Sequence, residues 1–227
     1  MVVAFRQASN SGGAADVSTR ATNVPAGVQI NDIVVASLCQ WQGGAAPTSM
    51  VPPTGFTQKD TFTSGDTFAK NTIWWKRLTA ADTGTYTWSW SNGTFWTTLQ
   101  AIAFSGCITT GDPFDGTPTK TSGTFGSITT LTQTLSSAGG GLFWACYNDS
   151  TGTHTPPTNF TETADVDCGS CAYRIPGASG SQSAASASIS SSSSAGAWLG
   201  ALLEDGGAAA TSLIVPRRPR IGSLVQL

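Results

Sequence analysis

Small polar and aromatic residues alternate along Thr85–Trp90: Tyr86, Trp88 and Trp90 fall on one face of an extended chain, Thr85, Thr87 and Ser89 on the other. Side chains of a strand alternate with period two, so this pattern predicts a strand with one face in a core and one in water. The run Asp32-Ile-Val-Val-Ala-Ser-Leu-Cys39 lacks that alternation and predicts a central strand covered on both sides. The same test, bounded by turn residues, gives strands at Val2–Gln7, Asp16–Thr22, Asp32–Gln40, Phe56–Phe62, Asn71–Leu78, Thr85–Trp90 and Thr97–Phe104. It continues at Ser127–Leu135, Leu142–Tyr147, Phe160–Ala164, Cys171–Ile175, Ala184–Ser190 and Ala197–Leu203. No segment shows the 3.6-residue period of an amphipathic helix, and the expected class is all-β.

The two runs of strands look like copies of one unit. Pro52–Gln58 reads PPTGFTQ and Pro156–Glu162 reads PPTNFTE, and an apolar strand carrying a cysteine, Cys39 or Cys146, precedes each. An aromatic-Arg-aliphatic step follows each, WKRL at Trp75–Leu78 and AYRI at Ala172–Ile175, and then an apolar strand of small residues. By position, the Ser-rich stretch Ser181–Gly196 is then a pair of strands and not the flexible linker that its composition suggests. The resulting division is an N-terminal arm or edge strand at 1–15, a first β repeat at 16–110 and a connecting loop at 111–126. A second repeat at 127–205 and an extended arm at 206–227 complete it. The favoured architecture is a jelly-roll-like sandwich in which both repeats interlock; two tandem immunoglobulin-like sandwiches are the alternative.

Two local features stand out. Asp82, Gly84 and Tyr86 match the corner of an immunoglobulin, Asp-x-Gly-x-Tyr-x-Cys, but Trp88 stands in place of the cysteine. The expectation is a structural corner in which Tyr86 bonds back to the backbone and Trp88 fills the space of the missing disulfide. Near the C-terminus, Arg217, Arg218 and Arg220 are flanked by Leu213, Ile214 and Val215 on one side and Ile221, Leu224, Val225 and Leu227 on the other. Pro216 and Pro219 forbid a helix there, so the segment suits an extended arm docking on a partner's sheet edge or acidic groove.

Charged residues are 11% of the 227 and the formal net charge is -2, so nothing draws the whole chain to nucleic acid or to acidic membranes. The first residues are too short an apolar run for a secretion signal, and no stretch approaches the roughly 20 apolar residues of a membrane span. Synthesis and folding in a cytosol are expected. Five cysteines, an odd number, argue against a disulfide framework. Cys39 and Cys146 are expected as small core hydrophobes at equivalent repeat positions, and Cys168-x-x-Cys171 as a turn or a late local disulfide, because the other ligands of a zinc site are missing.

The one histidine, His154, reads as a loop residue, and Glu162 and Glu204 are the only glutamates, so no catalytic set is nominated. Asp112 with Asp115 and Asp165 with Asp167 lack the dense oxygen run of a calcium loop and read as solvated acids. No cofactor or metal is called for. Trp41, Trp74, Trp75, Trp90, Trp96, Trp144 and Trp198 admit either a Trp-rich core or exposed platforms for sugar rings.

Taken in order, the strand opened by Asn-Asp, PPTGFT, the aromatic-Lys-Arg step, YTW and AIAFSG resemble a β-sandwich family of tailed-bacteriophage virion proteins, also found in some bacterial surface proteins. The likeness spans about Asp16–Glu204 and carries no catalytic residues. It implies a non-enzymatic structural protein of a virion, assembled in the bacterial host cytoplasm: a head decoration or tail-attached sandwich. Its implied partners are other capsid or tail subunits and further copies of itself, a trimer included. The alternative is a carbohydrate- or receptor-binding module of a tail fibre.

Overall fold

The computed structural model describes residues 1–41, 49–63, 69–91, 93–185 and 187–206. Among these residues strand follows strand without a helix. The first half contains β1 (Ala4–Val17), β2 (Thr19–Asn23), β3 (Ile33–Trp41), β4 (Ser49–Val51), β5 (Thr57–Thr63), β6 (Ala69–Arg77), β7 (Thr85–Ser91) and β8 (Phe95–Ser105). The second contains β9 (Thr119–Ile128), β10 (Leu131–Leu135), β11 (Gly141–Asn148), β12 (His154–Thr155), β13 (Thr161–Val166), β14 (Gly169–Arg174), β15 (Gly180–Ala184) and β16 (Ala187–Leu202).

The duplication is visible in the sheets. In the first half a five-stranded sheet of order β1-β8-β3-β6-β5 accompanies a smaller sheet β2-β7-β4. In the second, β9, β16, β11, β14 and β13 follow one another in the same way, and β10 pairs β15. Adding eight to each strand number of the first large sheet gives the second. All of these pairings are antiparallel.

Three cores separate the layers. Val34, Ala36, Leu38, Trp74 and Trp88 fill the sandwich of the first half. Leu142, Trp144, Cys146, Ala172 and Leu199 fill that of the second. Between the two large sheets lies a third core drawn from both halves, with Ile33, Val35, Ile73 and Phe104 facing Phe143, Ala145, Tyr147 and Trp198. That third core is why β3 and β11 are apolar on both faces: alternate residues point into different cores, and neither face meets water. Adjacent Trp74 and Trp75 likewise point to opposite sides, and both sides are covered. Each large apolar side chain so buried contributes about 1.5–3 kcal/mol. Polar contacts stitch the halves across this core: Gln100 Nε2 donates to the Gly169 carbonyl (2.9 Å), Thr98 Oγ1 to the Val166 carbonyl (3.2 Å) and Trp198 Nε1 to Asp60 Oδ2 (3.0 Å).

The structure corrects several expectations. The halves do not interlock: every named sheet takes its strands from one half, so there are two stacked sandwiches sharing a core. The connecting loop expected at 111–126 ends in β9, which starts at Thr119 and opens the second unit. Its apolar pattern is weak because it is an edge strand with β16 as its only named neighbour, and such edges are kept polar. The boundary at residue 15 falls inside β1, which runs through Gly12-Gly13 with register shifts on both sides of that pair instead of ending there. As expected, the Ser-rich stretch supplies strand at Ser181–Ala184 in β15 and from Ala187 onward in β16. Cys39 faces the central core and Cys146 the core of its own half, so they are not equivalent positions. A one-residue slip in reading the repeat exchanges the two faces of a strand.

Candidate functional site

The end of the molecule that carries the start of the chain is built from short contacts between distant segments. The Met1 ammonium donates to the Asp205 carbonyl, the Asp205 amide to Gly106 O (2.7 Å), Ile108 N to Leu203 O (3.1 Å) and Val3 N to Gly139 O (2.7 Å). Gly106 has a positive φ of 72°, and a Cβ there would overlap the Val2 carbonyl. Glycine is therefore required for this close approach. Beside these contacts opens a cleft of about 190 Å³ lined by Met1, Arg6, Ile30, Asp32, Gly106 and Cys107. Its floor is fixed by Asp32, which pairs with Arg6 Nε (2.6 Å) and accepts the Gln29 amide (2.7 Å). Its lining includes the exposed apolar Met1 (73%) and Ile30 (61%) among the polar Gln29, Asn31 and Thr109, and the neighbouring Val2 is 59% exposed. Large apolar side chains gathered in water mark contact surfaces.

The described chain stops at Gly206, immediately after Asp205, so the proposed arm leaves from this same end. The arm residues Leu213, Ile214, Val215, Arg217, Arg218, Arg220, Ile221, Leu224, Val225 and Leu227 lie outside the described residues. Sequence reading missed the cleft because its partners, such as Arg6 with Asp32 or Met1 with Asp205, are joined by no local spacing; the apolar pair Met1-Val2 is its only sequence signal.

At the corner, Gly84 takes a φ of 82° and its carbonyl accepts the Val24 amide (3.0 Å). Tyr86 is buried, but its hydroxyl donates to the Asp82 carboxylate (2.8 Å) and not to the backbone. Asp82 also pairs with Lys76 (2.6 Å), whose ammonium lies over the Tyr86 ring. Burial, with Asp82 adding to it, raises the Tyr86 phenol well above its ordinary range. Trp88 is fully buried edge-on to Phe56, ring centres 4.9 Å apart, in the core of the first sandwich. The corner lies on the opposite side of the first large sheet from the central core.

The remaining candidates are absorbed by the fold. None of the eight tryptophans is exposed, so the rings that suggested sugar platforms are core or half-buried. His154 is not a loop residue but lies buried on β12, its Nδ1 2.6 Å from Asp165 Oδ1 and its amide donating to Asp165 Oδ2 (3.0 Å). Its Nε2 is buried with no hydrogen-bond partner. Ser170 Oγ donates to Glu162 (2.7 Å), whose acid is raised by burial and by Asp165 nearby. Asp112 pairs with Lys59 (2.6 Å), and Asp115 accepts the Ser136 amide (2.6 Å). Among the described residues no three His, Cys, Asp or Glu side chains converge as metal ligands.

No protein-family model, curated protein or solved structure matches the chain.

Proposed function

We propose that this protein is a non-enzymatic structural component of a phage virion, a head decoration or tail-attached β-sandwich that docks to neighbouring subunits through its C-terminal arm. The observation that carries the reading is the apolar end: Met1, Val2 and Ile30 stand in water beside the point from which the arm departs. Two sandwiches fused through a shared core form a stiff block, and a stiff block with one apolar end and an extended tail suits mechanical assembly. The virion setting rests on the resemblance of the strand motifs to phage β-sandwich proteins. A stable contact of this kind buries roughly 1,600 Å² in total, more than the exposed rim supplies alone, so arm and rim act together.

Deletion of residues 208–227 tests this. The truncated protein is expected to keep its circular dichroism and melting temperature while failing to join particles or to self-associate in light scattering. Incorporation equal to that of the full chain would refute the docking role.

A further inference from the structure

We propose that Cys39 and Cys168 form a disulfide under oxidising conditions, a covalent modification that staples the first half of the molecule to the second across the central core. All five cysteines are free and buried. Cys39 projects from β3 of the first half, and Cys168 stands in the two-residue turn Asp167-Cys168 that joins β13 to β14 of the second. The Cys39 thiol donates to the Cys168 carbonyl (3.1 Å), and the Cys168 Sγ lies 3.5 Å from the hydroxyl of Thr98, the residue paired in register with Cys39 on β8. The next residue, Gly169, makes the approach possible, since a Cβ there would stand 3.2 Å from Cys39 Cβ.

No other pair is placed as well. Cys171 points into the central core from mid-strand, paired in register with Ala145 and Ala164. Cys146 faces the core on the other side of its sheet, and Cys107 stands beside Arg77 at the chain-start end. The local Cys168–Cys171 bridge suggested by the CxxC spacing is therefore not the bond this geometry favours.

The chemistry needs an oxidant, here a small-molecule disulfide such as oxidised glutathione. One protein thiol loses its proton and attacks a glutathione sulfur, expelling one glutathione thiolate; the second protein thiol then attacks the mixed disulfide and expels the other. The two protons lost by the protein thiols pass to the two expelled glutathione thiolates, one Cys39–Cys168 bond forms, and one glutathione disulfide is reduced to two thiols. Burial raises the Cys39 thiol far above its ordinary range, so the closed molecule reacts slowly and exchange requires opening of the β13–β14 tip. A staple of this type stays open in a reducing cytoplasm and closes after release. The crosslink itself does not depend on the virion reading.

The full-length protein, reduced and then held in glutathione buffers of rising oxidised fraction with enough urea to open the tip but not to unfold the chain, provides the test. The mass is expected to fall by about 2 Da, and thiols alkylated after denaturation to drop from five to three. Trypsin should then yield Ala21–Lys59 bonded to Thr121–Arg174, and the melting temperature should rise until dithiothreitol reverses it. Cys39→Ser and Cys168→Ser should each abolish the bond, and Cys171→Ser should keep it. A bridge confined to Thr121–Arg174, or five alkylated thiols at every oxidised fraction, would overturn the proposal.

Discussion

Replacing Tyr86 with Phe removes one hydroxyl and leaves the ring among Phe56 and Trp88. The bond lost is a 2.8 Å donation to an ionised carboxylate, a class contributing about 1.5–3 kcal/mol when buried. Asp82 keeps its 2.6 Å partner Lys76 and is partly open to water, so its loss is cushioned and the expected cost is about 1–2 kcal/mol. In a chain of this length that corresponds to a fall in melting temperature of roughly 2–8 °C. Urea unfolding followed by tryptophan fluorescence measures it, and a cycle with Asp82→Ala should return a coupling of about 1 kcal/mol. The pH dependence supplies a second signature. The folded phenol is raised above the unfolded value of about 10, so its contribution is complete below pH 10 and is lost as pH rises beyond it. Wild type should therefore lose stability above pH 10 more steeply than Tyr86→Phe. A cost below about 0.3 kcal/mol, within the error of additivity, together with parallel alkaline profiles, would show that the corner carries no such bond.

Two further substitutions probe the junction between the halves. A Cβ on Gly13 would overlap the Asp167 carboxylate, so Gly13→Val should cost about 1–3 kcal/mol, and Asp167→Gly in the same chain should recover most of it; no recovery would mean that the clash lies elsewhere. Trp198 is fully buried against Phe114 and Phe143 and bonds to Asp60 of the other half, so Trp198→Ala should cost about 3–5 kcal/mol. Calorimetry should show one transition shifted as a whole, because the halves share the core that Trp198 fills; two transitions with only the later half shifted would refute the shared core.

Much of the fold was legible because strand periodicity is local. The alternation at Tyr86, Trp88 and Trp90 correctly gives a one-sided strand, and the unbroken apolar run at β3 correctly gives a two-sided one. The Ser-rich segment was legible only through the repeat: its composition reads as linker, and its small side chains instead allow a sixteen-residue strand to lie between β9 and β11. What periodicity does not carry is which covered face meets which layer. Ile33 and Val34 are equally apolar, yet one faces the other half and one its own. That choice is made by packing across the central core against strands such as β11, more than a hundred residues along the chain, and a short apolar run is compatible with either.

The candidate site was the least legible part for a related reason. The proposed arm is recognisable as a sequence, because prolines and arginines among aliphatic residues leave no helical or core pattern. The cleft is not. Met1, Ile30 and Asp205 converge only after β1 has paired along nearly the whole of β8, which brings Ala4 opposite Ser105 and so sets Val2 against Gly106. The long, bulged β1 thus does two things at once. It seals the edge of the first large sheet, and it delivers the N-terminus to Asp205, next to the last described residue. A change that pushes the start of the chain away, such as Gly106→Ala, whose Cβ would overlap the Val2 carbonyl, should therefore disturb assembly beyond its effect on stability, whereas an equally destabilising change at Tyr86, in another core, should not.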